Sequence, residues 1–156
     1  MGFIFMELRA AEASDLVTIL NWVANERECQ MWAGPAICYT ATPELIWSDI
    51  HASQESSFVL LNTHTALAGF GQLRLRAEQG VHLARLIVDP ELRGQGIGKQ
   101  LCRALMKEGT EKHKAPHFTL NVYESNKGAI KLYQSLGFEI KTKDKAGLIA
   151  MFKMSE

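Results

Sequence analysis

Glycines stand at positions 94, 96 and 98, between Arg93 and Lys99. Glycine lacks the side chain that would hold a ligand away from the backbone. An apolar run, Leu86-Ile87-Val88, comes just before and stops at Asp89-Pro90; a helical pattern starts at about Ile97. The first N–H groups of a helix have no partner within it, and the helix dipole adds partial positive charge at that end. Strand, glycine-rich turn and helix start, in that order, are the parts of a phosphate cradle made from the amides of Gly94, Gln95, Gly96, Ile97 and Gly98. Arg93 and Lys99 can add charge-assisted contacts from its flanks. Two other nucleotide loops are excluded by spacing. Lys99 is followed by Gln100 rather than Ser or Thr, and Gly-x-Gly-x-Gly is not the Gly-x-Gly-x-x-Gly of a dinucleotide fold.

Other chemistries find less support. Cys29, Cys38 and Cys102 are widely spaced, with no Cys-x-x-Cys pair and no Cys/His spacing suited to zinc, so no metal is expected. Reduced thiols in a cytoplasmic protein are the simplest reading. Basic and acidic residues balance at 17 each, which gives no electrostatic reason to expect nucleic acid. Met1–Met6 is apolar but lacks a basic flank and a small-residue cleavage site, so no signal peptide is expected. No run reaches the roughly 20 apolar residues of a membrane span. A soluble intracellular protein follows as the expectation.

The elements that must position the loop are legible in outline. Phe3–Arg9 reads as a strand. Ser14 or Asp15 can cap a helix through Val23, with Leu16, Ile19, Leu20 and Val23 at helical spacing. The stretch from Asn25 to Pro35 fits no element clearly. Thr42-Pro43-Glu44 opens a second helix to about His51. Ser57–Leu61, Ala66–Arg76 and Val81–Val88 read as strands joined by short turns, which makes an antiparallel meander. Beyond the loop come a helix from about Ile97 to Lys112 and a strand over His117–Val122. A helix capped by Ser125 or Asn126 and stopped at Gly137 follows. Two strands, Phe138–Lys141 and Leu148–Met154, end the chain. The expected fold is α/β in one domain over 1–156, with a mixed sheet of about six or seven strands and about four helices.

At this point the chain resembles a family. Arg93-Gly94-Gln95-Gly96-Ile97-Gly98 looks like the acetyl-CoA signature of the GNAT N-acetyltransferases. Asn126 through Ala129, Leu132-Tyr133 and Gly137-Phe138 match a second family pattern, Asn-x-x-Ala-x-x-Leu-Tyr-x-x-x-Gly-Phe. Trp32-Ala33-Gly34-Pro35 is similar to the turn of a bacterial-type GNAT subgroup. The resemblance implies a mostly antiparallel sheet splayed at the cofactor site. It implies acetyl-CoA as co-substrate, with its pyrophosphate on the amides of Gln95–Lys99 and its pantetheine arm along Leu86, Ile87 and Val88. Asn126 and Tyr133 would also face the cofactor.

The chemistry the resemblance implies is acetyl transfer to a primary amine, whether a small molecule, an amino acid or a peptide N-terminus. The acetyl carbonyl would be polarised by a backbone N–H near Ile87 or Val88. On spacing alone Tyr133 reads rather as a core tyrosine in line with Ile130 and Leu136; the resemblance reverses this, because it matches the family tyrosine that can protonate the departing thiolate. Asn121 stands where ribosomal-protein N-terminal acetyltransferases carry a glutamate proposed as base, and an amide cannot take that role. His82 occupies the place of a strand glutamate common in relatives, and a histidine titrating near neutrality could deprotonate the amine through water. Strand alternation would put it on one face with Ala84 and Leu86. Trp22, Cys29 and Trp32 could wall the acceptor groove, or simply cover the sheet. A monomer or homodimer is expected, with no nucleic-acid or membrane partner. A non-catalytic acyl-CoA-binding module is the alternative, favoured by Asn121 and opposed by Tyr133.

Overall fold

A computed structural model describes residues 6–35, 37, 39–62 and 65–156. Met1–Phe5, Ala36, Cys38, Thr63 and His64 fall outside the described residues, and with them the start of the predicted first strand, one of the thiols and the middle of the turn after Leu61. The chain is mixed α/β. Its strands are β1 (Glu7–Ala10), β2 (Ser57–Leu61), β3 (Leu67–Leu75), β4 (Val81–Val88), β5 (His117–Tyr123), β6 (Glu139–Lys143) and β7 (Leu148–Met154). They form one seven-stranded sheet in the order β1-β2-β3-β4-β5-β7-β6. Pairing is antiparallel for β1–β2, β2–β3, β5–β7 and β6–β7, and parallel for β4–β5.

Five α-helices are present among the described residues, where about four were expected: α1 (Leu16–Leu20), α2 (Glu26–Ala33), α3 (Pro43–Asp49), α4 (Ile97–His113) and α5 (Lys127–Ser135). The additional helix is α2, which fills the stretch that fitted no element. Its cue is local. The Asn25 side chain accepts from the Glu28 N–H at 2.9 Å, and Glu28 reaches back to the Ala24 N–H at 2.6 Å. Asn-x-x-Glu ahead of apolar residues is a variant of the capping box, a device worth about 1 kcal/mol. The first helix is also shorter than predicted, ending at Leu20 rather than Val23. Asp15 stands at its N-cap position, one of the two residues expected there, but its side chain makes no cap bond to the helix. Glu12 takes the cap of a short 3₁₀ turn, and the Asp15 carboxylate accepts the Glu12 N–H at 2.8 Å.

The chain divides into two compact units. The first comprises Met1–Gln72 and Arg85–Leu101; the second comprises Leu73–Ala84 and Cys102–Glu156. The first unit holds β1, β2, most of β3, the latter half of β4, helices α1–α3 and the glycine loop. Its core is built from Leu16, Ile19, Ile46, Ile50, Val59 and Phe70, all fully buried. β2 is buried at every position, so it reads as a continuous apolar run rather than an alternating one.

The second unit holds the start of β4, most of α4, and β5, β6, β7 and α5. α4 packs closely on β5 at Gly109, where an added Cβ would stand 2.8 Å from the Phe118 ring. α5 starts at Asn126, whose side chain accepts the Ala129 N–H at 3.2 Å. It ends before Gly137, at φ +99, as the sequence cues suggest. The β6–β7 turn is held by Asp144, whose carboxylate accepts from the N–H groups of Ala146 and Leu148.

Candidate active site

In the first unit, the latter part of β4 leads through a short 3₁₀ turn, Pro90–Leu92, into the glycine loop. The Asp89 N–H donates to the Ala68 carbonyl at 2.9 Å, which ties the end of β4 to β3. Arg93, Gly94, Gln95 and Gly96 are exposed, and Ile97 is buried beneath them as the first residue of α4. Gly94 and Gly96 take φ of +79 and +80, a region any other L-residue enters at a cost of about 1–2 kcal/mol. A Cβ on either would meet no atom within 4 Å. Glycine is therefore required here by backbone conformation, and the space over both residues is open. Alternating positive φ turns successive N–H groups toward one side, the geometry of an anion nest. With Arg93 and Lys99 beside it, this loop could hold a phosphate-sized anion.

The strand ahead of the loop departs from regular alternation. Arg85 has φ +51. Its carbonyl accepts from Trp32 Nε1 at 2.8 Å, its Nε donates to the Ala33 carbonyl at 3.0 Å, and its Nη1 donates to Gln72 Oε1 at 3.0 Å. The two-residue period assumes extended backbone throughout. The inference that His82 shares a face with Leu86 therefore does not carry across Arg85. The sequence assigns no role to Arg85 or Gln72. The available signal was Gln72, a polar residue within the apolar run of β3.

Trp22, Cys29 and Trp32 are buried in the first unit's core. Trp32 meets Phe70 edge-on at 5.9 Å. Of the two readings those residues allow, an acceptor wall or a cover for the sheet, this burial accords with the second.

The second unit holds His82, Asn121, Asn126 and Tyr133. His82 is buried, and its Nδ1 lies 2.7 Å from Thr119 Oγ1, its register partner across the parallel β4–β5 pair. Burial, then the charges of Arg76 and Arg74, lower its pKa to about 4. This differs from a histidine titrating near neutrality: the ring is neutral at pH 7 and a weak base. Thr119, unnoticed in sequence, carries no local cue, because the pairing that brings it to His82 is non-local. Tyr133 is buried on α5, edge-on to Phe138 at 6.3 Å. Burial, then the neighbouring Cys102, push its phenol above the ordinary range, and burial pushes the Cys102 thiol up to about 12. Both keep their protons at any physiological pH. Asn121 is exposed on β5 opposite Ala150, and Asn126 is exposed at the start of α5. Among the described residues no group of three or more His, Cys, Asp or Glu side chains is arranged to hold a metal ion. No helix among them is long and apolar enough to cross a membrane.

A seven-stranded mixed sheet with a glycine loop between its fourth strand and a long helix matches the GNAT fold. The chain belongs to the acetyltransferase (GNAT) family, which matches residues 18–138. Enzymes of that family use acetyl-CoA. Over 136 residues the chain is 42% identical to the peptidyl-lysine N-acetyltransferase YiaC of Escherichia coli strain K12, covering 85% of this chain and 83% of that protein. It is 37% identical over 59 residues to the spermine/spermidine N(1)-acetyltransferase of Bacillus subtilis strain 168, covering 38% of this chain and only 39% of that relative's length. Among solved structures, the spermidine N-acetyltransferase from Vibrio cholerae in complex with CoA and spermine superposes with a TM-score of 0.77 at 19% identity, covering 96% of this chain and 95% of that one. At that identity the likeness concerns the fold alone.

Proposed function

We propose that this chain is an acetyl-CoA-dependent N-acetyltransferase acting on a primary amine. The observation that carries the reading is the exposed loop of Gly94 and Gly96 at the start of α4, with positive φ and open space above both glycines. The acceptor is an amine of a small molecule, an amino acid or a peptide; relatives named for spermine and for peptidyl-lysine support that range. The whole chain acts as one domain, as a cytoplasmic monomer or homodimer.

Acetyl-CoA supplies a thioester-activated acetyl group, so the amine nitrogen bonds to the acyl carbon as the carbon–sulfur bond breaks. Gln95, Ile97, Gly98 and Lys99 hold the diphosphate with backbone amides, Arg93 and Lys99 add charge, and Asn126 contributes an amide. Leu86, Ile87 and Val88 orient the acyl arm with their backbone groups, and one N–H from Ile87 or Val88 polarises the carbonyl. Tyr133 arrives protonated and donates to the departing sulfur. His82 and Asn121 act as neutral hydrogen-bonding groups, and the free-base fraction of the amine is the nucleophile; its nitrogen gives up one proton to solvent water as the amide forms, and Tyr133 regains from solvent the proton it donates to sulfur. That role for His82 follows from a pKa near 4, which leaves little capacity to store a proton at pH 7. A non-catalytic acyl-CoA-binding module is the competing reading, favoured by Asn121 standing in a carboxylate's place.

The test is thiol release from acetyl-CoA across polyamines, amino acids, lysine peptides and N-terminal peptides, with calorimetry in parallel. Turnover on one amine class supports the enzyme; tight binding without turnover on any acceptor supports the module. Gly96→Glu should abolish acetyl-CoA's thermal stabilisation, because it adds strain and negative charge at the nest. An unchanged melting shift in a folded Gly96→Glu protein would remove the loop from the site.

A further inference from the structure

Arg85 is a non-glycine residue held at φ +51 inside a strand, directly ahead of Leu86–Val88. Such a conformation persists only where its surroundings over-determine it. Here Trp32 Nε1 donates to the Arg85 carbonyl, while the guanidinium donates to the Ala33 carbonyl and to Gln72 Oε1. Gln72 is almost fully buried, and its Nε2 donates to Ser57 Oγ at 2.9 Å and to the Ile50 carbonyl at 3.2 Å. Ala33 is the last residue of α2, so the guanidinium also meets the negative end of that helix. The C-terminal end of α2 and strands β2 and β3 therefore converge on one backbone position.

We infer that Trp32, Arg85 and Gln72 form a positioning network that sets the backbone orientation of Leu86–Val88 for acyl transfer. The inference rests on the proposed acetyltransferase reading. A peptide group is planar, so fixing the Arg85 carbonyl fixes the direction of the Leu86 N–H. The other end of the segment is fixed as well, because the Asp89 N–H donates to Ala68 in β3. Period-two alternation puts the polar groups of Ile87 on that same side. An added Cβ on Gly69 would stand 3.2 Å from the Ile87 carbonyl oxygen, which places Ile87 close against β3. Leu86 and Val88 consequently turn their N–H and C=O groups to the edge away from β3. That edge is what an extended acyl arm would pair with. Arg85 acts through this edge and touches no reacting atom.

The experiment compares Trp32→Phe, Gln72→Leu, Arg85→Ala and Arg85→Gly in the full chain. Each variant is measured for kcat, for acetyl-CoA affinity by calorimetry, and for amide hydrogen exchange at Ile87. Trp32→Phe keeps an aromatic ring toward Phe70 and removes the donor to the Arg85 carbonyl, at the cost of some ring volume. It should lower kcat by about 10–100-fold, the usual consequence of a small misplacement. Acetyl-CoA affinity should stay within about threefold, because the phosphate loop is untouched. Exchange at Ile87, whose N–H faces β3, should speed up while Val59 in β2 is unaffected. Glycine adopts positive φ without strain. Arg85→Gly should therefore retain more kcat than Arg85→Ala, an order that a purely packing role for the side chain would reverse. Wild-type kcat and exchange in folded Trp32→Phe, or Ala above Gly at position 85, would overturn the inference. If the wild type itself turns over no amine, the acetyltransferase reading fails instead, and exchange at Ile87 still decides whether the network orders that segment.

Discussion

The two units keep polar groups out of water by opposite means. In the first unit charge is retained and matched. Arg9 and Asp15 meet in two hydrogen bonds of 2.9 Å, and Arg85 is matched by Gln72 and by a helix-end carbonyl. In the second unit charge is suppressed: His82 loses its proton readily, while Tyr133 and Cys102 hold theirs. Matching needs partners at fixed distances, so it specifies geometry. Suppression needs only low-dielectric surroundings, so it specifies protonation state. The first unit thus fixes the geometry of its polar groups, and the second fixes their protonation.

The sharpest challenge to this contrast is Tyr133→Phe. The ring packing against Phe138 survives, and only the proton donor is lost. Turnover should fall by about 10²–10⁴-fold with acetyl-CoA affinity nearly unchanged. Wild-type turnover would return Tyr133 to the core and leave the second unit without its acid.

Arg85→Met tests the matched side. It strands Gln72 Oε1 and the Ala33 carbonyl, so urea unfolding should show a loss of about 3 kcal/mol. A loss below roughly 1 kcal/mol would mean that water replaces the guanidinium, and that the matching is incidental.

His82 tests the suppressed side through pH. Its folded pKa, about 4, lies below the ordinary 6.5. The unfolded chain therefore binds a proton that the folded chain refuses between those values. The associated stability is fully present above pH 6.5 and is lost as pH falls toward 4, by at most about 3 kcal/mol. His82→Gln should flatten stability over that window. The rate profile should likewise show no histidine limb near pH 6.5, and a limb there that disappears in His82→Gln would restore His82 as the base.

Smaller effects separate two kinds of ion pair. Burial raises the Asp15 pKa, but hydrogen bonds from Arg9 and from the Glu12 N–H outweigh it and hold the carboxyl below 3.8. Its contribution is present above 3.8 and disappears as pH falls through the lowered value. Asp15→Asn should cost about 1–2 kcal/mol at pH 7 in urea unfolding. The Lys143–Glu124 pair is half exposed on both sides. Lys143→Ala should change stability by no more than about 0.5 kcal/mol and lose even that at high salt.

The sequence by itself determined what depends on near neighbours in the chain. The Gly94/Gly96 loop was legible because positive φ and a helix start are properties of a few consecutive residues. The same holds for the Asn126 cap and the Gly137 stop. Helix α2 is equally local, through Asn25 and Glu28. Tertiary structure alone decided the rest. The Thr119 hydroxyl reaches His82 only because two strands distant in the chain lie parallel, and burial then turns a near-neutral histidine into a weak base. Trp32 could wall a groove or fill a core until Phe70 and the Arg85 carbonyl took its two ends. The left-handed turn at Arg85 has no cue in Ala84-Arg85-Leu86. Its cause lies in Trp32, Ala33 and Gln72, and contacts between residues so far apart leave no periodicity in the chain that makes them.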